Sequence, residues 1–346
     1  MMVEVKVKGT DAESSILIGE TIANIGKYLP STGVYVLTDK KVEHLYGQHF
    51  AAYPSFTIGQ GEEHKTLQTV ETIYRWLLEN NADRSSFILA VGGGLVCDVA
   101  GYVASTFMRG IKFGFVSSTL LSQIDASVGG KNGVNLDGFK NIIGTFNQPK
   151  FVICDPNMLT TLDERDYRSG LAEAVKHTLI ADAEMFSFIE ENSEKLLARD
   201  ANTVSRVVEN SVNIKARIVS MDERETGERR KLNLGHTWGH AVEKTTQLPH
   251  GESVSIGLAF AAKLSNRYGL MNENEVQRLL NLLNKLGLPT SVSLDKQKAY
   301  SYMLKDKKKE MSSIHFILME GIGSAKVELL STKQLHDHFN EMEASL

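Results

Sequence analysis

The sequence predicts two domains: an α/β domain with a parallel sheet over residues 1–165, and a mostly α-helical domain over residues 166–346. Three observations support this prediction. A chain of 346 residues is longer than a single core usually supports. Short apolar runs alternate with amphipathic helices up to about residue 155, which is typical of a parallel sheet. After Asp163 the pattern changes to consecutive helices, so we place the domain boundary near residue 165.

Two pairs of apolar segments predict the first strands. Residues 3–7 alternate apolar and charged side chains and are expected to form a hairpin with residues 15–18. Residues 34–38 have the profile of a buried parallel strand, and this strand ends at Asp39. An aspartate there can accept ribose hydroxyls of a dinucleotide, or it can cap the next helix, and both interpretations stay open.

A glycine turn is the strongest local signal in the first domain. An amphipathic helix over 66–78 precedes a buried strand over 87–91, which runs directly into Gly92-Gly93-Gly94. A helix is expected to begin near Leu95, so that backbone amides and a helix N-terminus can approach a pyrophosphate. The turn lacks the GxGxxG fingerprint, which leaves a plain tight turn as the alternative. The pattern favours a Rossmann-like, nucleotide-binding domain.

The segment 118–144 lies between two further predicted strands, 113–117 and 151–154. It contains five glycines together with Asp125, Lys131, Lys140 and Asn141. This composition predicts a loop that lines a site, with no sheet element.

The second half is expected to be helical, with one hairpin near its end. The hairpin is predicted from IHFILM and KVELL, which flank EGIGSA. The predicted helices cover 166–182, 183–198, 201–220, 233–247, 253–269, 274–287 and 294–304.

Lys176 and Lys215 fall on the apolar faces of two of these helices. A single lysine there is usually explained by its long side chain reaching solvent. Because burying an unpaired ammonium is costly, two such lysines predict that an anionic ligand meets them.

Three histidines in the second half predict a metal site. His236 and His240 are four residues apart and share a helix face, and His250 follows within fifteen residues. Imidazoles at this spacing suit a divalent ion such as zinc, and Glu173 is the natural oxygen ligand. The alternative is that they are structural histidines near a helix end. Thr237 follows His236, so the sequence is not HExxH and a metalloprotease is disfavoured.

Composition excludes several classes of protein. The net charge of −4 gives no reason to expect a nucleic-acid or anionic-membrane partner. Cys97 and Cys154 are the only cysteines and lie far apart, so neither a disulfide framework nor a cysteine metal site is implied. No run of eighteen apolar residues and no signal-like N-terminus is present, which predicts a cytoplasmic protein.

Over nearly its whole length, the sequence resembles the 3-dehydroquinate synthase family of the sugar phosphate cyclase superfamily. The combination of GHTWGHA with a downstream HGE is highly specific to that superfamily. The matching stretches are TDK (38–40), GEEHK (61–65), GGGLVCDVAGYVAST (92–106) with MRG (108–110), ASVGGKNGVN (126–135) with FKN (139–141), GLAEAVKH (170–177), DERETGERRKLNLGHTWGHAVE (222–243), PHGESVSIG (249–257) and DKK (306–308).

The resemblance implies NAD in the first domain and one zinc or cobalt ion in the second. The implied metal ligands are Glu173, His236 and His250. His240 is implied to be an active-site residue, whereas its spacing from His236 had suggested a ligand. The positions that match NAD contacts are Asp39, Glu62, Lys65, Gly93, Gly94, Asp98, Ser118, Thr119, Leu121, Lys131, Lys140, Thr161 and Leu162.

The resemblance also implies a substrate pocket and a homodimer, because Arg109 matches an arginine that reaches into the neighbouring subunit's site. The positions that match the pocket are Asp125, Lys131, Lys140, Asn141, Lys176, Lys215, Arg229, Asn233, His240 and Lys307. Two features depart from the family pattern: Phe139 replaces a common glycine, and the interval between His240 and His250 is short. The choice between Lys307 and Lys308 stays open.

The implied reaction converts 3-deoxy-D-arabino-heptulosonate 7-phosphate into 3-dehydroquinate and phosphate, a lyase step of the shikimate pathway. It proceeds by transient oxidation with NAD+, phosphate elimination, reduction, ring opening and intramolecular aldol closure. Lys131, Asn141, Lys307 and Arg109 are expected to hold the phosphate, and Arg229 and Lys215 the carboxylate. Asp125 and His240 are candidates for proton transfer near the oxidised hydroxyl.

Three alternatives remain from the sequence. Another sugar phosphate cyclase would act on glucose 6-phosphate or sedoheptulose 7-phosphate, which lack the carboxylate that Lys215 and Arg229 would hold. A metal-dependent NAD polyol dehydrogenase would share the two-domain architecture. A dinucleotide-binding sensor without chemistry is the third and is the least compatible with a metal site and so many anion-binding groups.

Overall fold

The computed structural model describes residues 2–10, 12–306 and 313–341. Packing divides the chain into two compact units. The first comprises Met1–Tyr167 and Val204–Arg224, and the second comprises Arg168–Thr203 and Glu225–Leu346.

The first unit is built on a seven-stranded sheet with the order β1-β2-β9-β6-β5-β3-β4. Within this seven-stranded sheet, β1 and β2 pair antiparallel, as the predicted hairpin, and every other neighbouring pair is parallel. The nine strands of this unit are β1 (Val3–Lys8), β2 (Glu13–Ile18), β3 (Val34–Asp39), β4 (Ser55–Ile58), β5 (Phe87–Gly92), β6 (Lys112–Ser117), β7 (Lys131–Leu136), β8 (Phe139–Phe146) and β9 (Phe151–Cys154). The predicted parallel α/β fold is therefore confirmed.

Burial explains why the central strands read as continuous apolar runs. All six residues of β5 are buried, and five of the six in β3 are buried, because both strands have neighbours on each side in the sheet. The chain places β4 on one side of β3 and β5 on the other, so the order of strands reverses there. Ligands of such sheets bind beyond the carboxyl ends of the strands at this reversal.

Three helices follow the strands of the first unit: α1 (Lys40–Tyr46), α2 (Leu67–Glu79) and α3 (Gly94–Thr106). Thr66 caps α2, because its hydroxyl accepts a hydrogen bond from the Thr69 amide. Val70, Ile73 and Leu77 of α2 are buried, which confirms the amphipathic helix predicted there.

The expectation of a loop without sheet over 118–144 is wrong, because β7 and β8 form an antiparallel hairpin within it. Gly133 and Gly144 face each other across this hairpin. A Cβ at Gly133 would lie 2.7 Å from the Ile143 carbonyl oxygen, and one at Gly144 would lie 2.5 Å from that of Asn132. These glycines permit a close approach of two backbones. Because glycines are also common in loops, the sequence did not distinguish this hairpin from a loop.

Nine more helices and two strands follow among the described residues, and they cover every helix predicted in this half, although the predicted helix over 183–198 divides into two. They are α4 (Glu164–Ala181), α5 (Ala183–Glu191), α6 (Ser193–Leu197), α7 (Ala201–Met221), α8 (His236–Thr246), α9 (His250–Arg267), α10 (Glu273–Lys285), α11 (Lys296–Asp306), β10 (Ser313–Met319), β11 (Ala325–Ser331) and α12 (Thr332–Glu341). The predicted terminal hairpin is the antiparallel pair β10–β11, whereas α12 had not been predicted. None of the helices among the described residues is both long and apolar enough to cross a membrane.

Helix α7 packs with the first unit, although it lies beyond the boundary expected near residue 165. Three polar contacts account for this grouping. Lys215 of α7 pairs with Asp125, and the Lys8 amide donates to the Ser220 hydroxyl at 3.1 Å. Glu223, just after α7, accepts hydrogen bonds from the amide and hydroxyl of Thr10 at 2.7 and 2.6 Å.

Candidate active site

A cavity of about 350 Å³ lies at the carboxyl ends of β3, β5 and β6. It occupies the position at which a doubly wound sheet binds its ligand. Seven of the residues predicted to contact the cofactor line it: Asp39, Gly93, Gly94, Ser118, Thr119, Thr161 and Leu162. The remaining predicted cofactor residues, all within the described part of the chain, lie outside this lining: Glu62, Lys65, Asp98, Leu121, Lys131 and Lys140.

Asp39 caps a helix and also lines the cavity. Its Oδ1 atom accepts hydrogen bonds from the Lys41 and Val42 amides, each at 3.0 Å, and so caps α1. The same residue lines the cavity at the end of β3. The cap holds the carboxylate in place, and the carboxylate can still accept a hydrogen bond from a ribose hydroxyl.

The glycine turn brings a helix N-terminus to the cavity. Gly93 is the N-cap of α3 and Gly94 its first residue, and no side chain caps these first amides. The amides and the helix dipole favour an anion such as a pyrophosphate. The sequence did not predict the apolar part of the cavity lining, because its residues come from separate segments. They are Val42, Leu45, Tyr46 and Met158.

Lys65 and Asp98 form a buried ion pair in the first unit. The Lys65 Nζ atom lies 2.5 Å from Asp98 Oδ2. Burial by itself lowers the pKa of the Lys65 ammonium, but Asp98 and Glu62 raise it above its ordinary value. Burial raises the pKa of the Asp98 carboxyl, and Lys65 opposes this effect. Glu62 also accepts a hydrogen bond from the Asn135 amide group at 2.9 Å, which ties the hairpin to this pair.

Asp125 and Lys215 form a second ion pair in the same unit. Asp125 belongs to a π-helical turn, Ser122–Ala126, that follows β6. The ammonium of Lys215 donates to the Asp125 carbonyl oxygen at 2.6 Å and also contacts its carboxylate. The prediction that Lys215 is buried is confirmed, and its burial is compensated by a carboxylate of the chain itself.

The other predicted residues of the first unit lie at exposed positions. Lys131, Lys140 and Asn141 are on the β7–β8 hairpin, where the Asn141 amide donates to Asn135 Oδ1 at 2.8 Å. Arg109 follows α3 at an exposed position with a left-handed φ of 71°.

In the second unit, close packing of three helices brings Glu173 near two histidines. Glu173 is on α4, His236 begins α8 and His250 begins α9. A Cβ at Gly251 would lie 2.2 Å from the Ser169 carbonyl oxygen of α4, so a glycine lets the start of α9 approach α4. Likewise, a Cβ at Gly257 would lie 1.9 Å from the carbonyl oxygen of Gly235, the residue before α8.

The three side chains meet at one carboxylate oxygen. Glu173 Oε1 lies 3.4 Å from His236 Nε2 and 3.2 Å from His250 Nε2. One ligand atom from each residue lies within 4.8 Å of the other two. A buried carboxylate with two imidazoles is the donor set of many zinc sites, so these residues fit a divalent ion.

Lys176 occupies the other side of the same carboxylate. Its ammonium contacts Glu173 Oε2, and the lysine is buried as predicted. The predicted external anion is therefore not needed to explain its burial. Burial by itself raises the pKa of the Glu173 carboxyl, but Lys176 and His236 lower it well below its ordinary value. The carboxylate thus stays ionised and can bind a metal.

The two histidines differ in their electrostatics. Burial lowers the pKa of His236 well below its ordinary value, which favours neutral imidazole. Burial also lowers the pKa of His250, but hydrogen bonds with Glu173 and Glu243 raise it to about 9. His240 completes the cluster, with its ring centroid 5.3 Å from that of His236 and 6.1 Å from that of His250.

Two further predicted residues lie just before α8. Arg229 is buried in the 3-10 segment Glu228–Asn233. Asn233, at the end of this segment, donates a hydrogen bond from its side chain to the Glu225 carboxylate. Lys307, predicted to contact phosphate, lies outside the described residues.

The same architecture occurs in sugar phosphate cyclases of known structure. A 2-deoxy-scyllo-inosose synthase complexed with carbaglucose-6-phosphate, NAD+ and Co2+ is 26% identical, with a TM-score of 0.88 over 98% of this chain and 100% of that one. A 2-epi-5-epi-valiolone synthase from Streptomyces hygroscopicus with NAD+ and Zn2+ bound is also 26% identical, with a TM-score of 0.87 over 98% of each chain. The fold and the candidate sites thus define the class of sugar phosphate cyclases.

Sequence similarity narrows the class to one family. The models of the N-terminal and C-terminal parts of 3-dehydroquinate synthase match residues 55–169 and 170–309. The 3-dehydroquinate synthase of Acetivibrio thermocellus is 42% identical over 332 residues, covering 92% of each chain. This chain belongs to the 3-dehydroquinate synthase family.

Proposed function

We propose that this chain catalyses the reaction of its family, converting 3-deoxy-D-arabino-heptulosonate 7-phosphate into 3-dehydroquinate and phosphate. The observation that carries the proposal is the meeting of one buried carboxylate oxygen, of Glu173, with Nε2 of His236 and of His250. An alcohol that is oxidised and reduced again within one turnover requires a hydride acceptor, and a metal that polarises the hydroxyl assists its deprotonation.

We propose NAD in the cavity of the first unit and zinc or cobalt at Glu173, His236 and His250. The solved cyclases hold NAD+ with Co2+ in one case and with Zn2+ in the other, which supports both assignments. When bound, the two groups supply a hydride acceptor and a Lewis acid at the substrate hydroxyl.

The residues of the chain then bind and orient. The first backbone amides of α3 donate hydrogen bonds to the dinucleotide phosphates, and Asp39 accepts a hydrogen bond from a ribose hydroxyl. Arg229 holds the carboxylate of the substrate, because a planar guanidinium matches a carboxylate with two parallel hydrogen bonds. Lys131 and Asn141 hold the phosphate. Both lie at exposed positions on the hairpin.

Two residues, Asp125 and His240, are proposed to transfer protons. Asp125, which contacts the Lys215 ammonium, accepts a proton from a hydroxyl. His240 lies beside the two proposed histidine ligands and can exchange a proton with the same hydroxyl.

The decisive experiment compares three phosphates side by side with the purified protein. Phosphate release is measured with the heptulosonate phosphate, glucose 6-phosphate and sedoheptulose 7-phosphate, each with and without added NAD and a chelator. We expect release from the first substrate alone, loss with chelator and no accumulation of NADH. Release from a neutral sugar phosphate would indicate another cyclase, and stoichiometric NADH would indicate a polyol dehydrogenase.

We further propose a homodimer in which Arg109 acts in the site of the neighbouring subunit. An exposed arginine at the end of α3 is compatible with this role. The test mixes two inactive variants, Arg109→Ala and His236→Ala, under conditions that exchange subunits. Recovery of activity on mixing supports a shared site, and no recovery with demonstrated exchange contradicts it. The cytoplasmic location expected from the sequence stays a prediction.

A further inference from the structure

The two histidines proposed as metal ligands are each held from behind by a second hydrogen bond. His236 Nδ1 lies 3.1 Å from the Leu234 carbonyl oxygen. His250 Nδ1 lies 3.4 Å from Glu243 Oε2. A carbonyl oxygen and a carboxylate can only accept, so each Nδ1 carries a proton. Each Nε2 faces Glu173 Oε1 and is the nitrogen left to bind a metal.

We propose that Glu243 is a positioning residue, which orients His250 for metal binding and strengthens it as a ligand. This inference rests on the proposed metal site and adds a residue to it. A carboxylate behind a ligating imidazole fixes its tautomer and raises its basicity. The Nδ1 atom of His236 donates to a neutral backbone carbonyl, whereas that of His250 donates to a charged carboxylate.

Differences in burial explain why His250 depends on such a partner. The side chain of Glu173 is fully buried and that of His236 is 12% exposed, whereas that of His250 is 31% exposed. His250 is also the first residue of α9, and the N-cap before it, Pro249, makes no side-chain capping hydrogen bond. Because His250 is the most exposed of the three side chains, burial restrains its rotamer least, and the hydrogen bond with Glu243 adds a restraint.

The position of Glu243 on α8 follows from its spacing. It lies seven residues after His236 and three after His240, which places all three on one face of the helix. Its side chain is 13% exposed, so its charge is poorly screened by solvent and acts on His250 at close range. One helix therefore carries both a ligand and the group that orients another ligand.

The geometry also contains a competing arrangement. His240, Glu243 and His250 place one ligand atom each within 4.8 Å of one another, so Glu243 itself could bind an ion. Two observations favour the positioning role. His250 is nearer to Glu173 than to Glu243, 3.2 against 3.4 Å, and Glu173 is fully buried. The two arrangements predict different results when each glutamate is replaced.

The test measures Co2+ binding by the full-length protein, stripped of metal and without substrate. Dissociation constants come from competition with a chelator, and the visible absorption spectrum of bound Co2+ reports its coordination. The variants are Glu243→Ala, Glu243→Gln and Glu173→Gln. The control is Glu191→Gln, which removes an exposed carboxylate at the end of α5.

We expect Glu243→Ala to weaken Co2+ binding by about 10- to 100-fold without changing the spectrum. Glu243→Gln loses less, because the amide oxygen still accepts the hydrogen bond from Nδ1 but carries no charge. The control leaves affinity unchanged, and Glu173→Gln changes the spectrum because a ligand is altered. Excess Co2+ restores the turnover of Glu243→Ala, which a purely structural defect would not allow.

Two results would overturn the role of Glu243 and leave the proposed metal site intact. An unchanged affinity in Glu243→Ala removes the positioning role, and a changed spectrum with loss of binding makes Glu243 a ligand. If Glu243→Ala does not fold, as judged by thermal unfolding without metal, Glu243→Gln decides by the same criteria. A wild-type protein that binds no Co2+ would refute the metal site itself, and with it the inference.

Discussion

Replacing Lys65 by methionine tests the buried ion pair beside the cofactor cavity. Lys65→Met keeps the shape of the side chain but leaves the Asp98 carboxylate without its cation. The side chains are 6% and 17% exposed, and Nζ lies 2.5 Å from Oδ2. Breaking one partner of a buried pair costs about 3–5 kcal/mol, and the residual exposure of Asp98 places the cost near 3 kcal/mol. For a unit of this size that corresponds to a melting temperature lower by about 6–12 °C.

The assay is thermal unfolding of the NAD-free protein, in a double-mutant cycle with Asp98→Asn. Each single variant leaves one buried group without its charged partner, so the double variant should lose less stability than the sum of the two. Lys41→Met is the matched control, because the Lys41–Asp163 pair is 39% and 70% exposed. Exposed pairs contribute less than about 1 kcal/mol, so this control should hardly change the melting temperature.

The loss should also depend on pH in a defined direction. Burial already raises the pKa of Asp98, and removing Lys65 raises it further. A carboxyl with a raised pKa in the folded state opposes folding when ionised, so the cost is full above that pKa. The cost shrinks as the pH falls through the pKa of Asp98, since the carboxylate then binds a proton. A loss below about 1 kcal/mol, or one that does not change with pH, would refute the argument.

Three further predictions concern separate parts of the chain. Gly257→Ala places a Cβ 1.9 Å from the Gly235 carbonyl oxygen and should cost about 3 kcal/mol or more in unfolding free energy, with loss of bound metal. Tyr28→Phe removes the hydrogen bond to Glu20 and should cost about 1.5 kcal/mol near neutral pH by chemical denaturation. Lys131→Ala should abolish phosphate release while the metal content, measured by elemental analysis, stays that of the wild type.

Each of these predictions has its own control or contrary result. Gly26→Ala adds a Cβ that meets nothing within 4 Å, so it should leave metal binding unchanged. The difference due to Tyr28 should vanish in acid, because its hydrogen bond lowers the pKa of Glu20 and that stabilisation is lost on protonation. It should also vanish in strong base, since the pKa of Tyr28 is raised to about 12. For Lys131→Ala, equal loss of metal and turnover would contradict a role in substrate binding.

Local patterns were sufficient for most of the secondary structure. The apolar runs that became β3 and β5, the amphipathic pattern of α2 and the glycine turn before α3 each depend on residues a few positions apart. The hairpin β7–β8 was missed for the same reason. Its glycines are required by a strand eleven residues away, and a local pattern cannot distinguish that from a loop.

The sequence by itself determined the fold class and, through matching stretches along nearly its whole length, the family. Only the tertiary structure showed how closely Glu173 and His250, 77 positions apart, approach each other, and gave His250 its second carboxylate partner, Glu243. It also paired the buried Lys215 with Asp125 across 90 positions. Periodicity reports which face of a helix is buried, whereas the partner a buried charge meets depends on how the helices pack against each other.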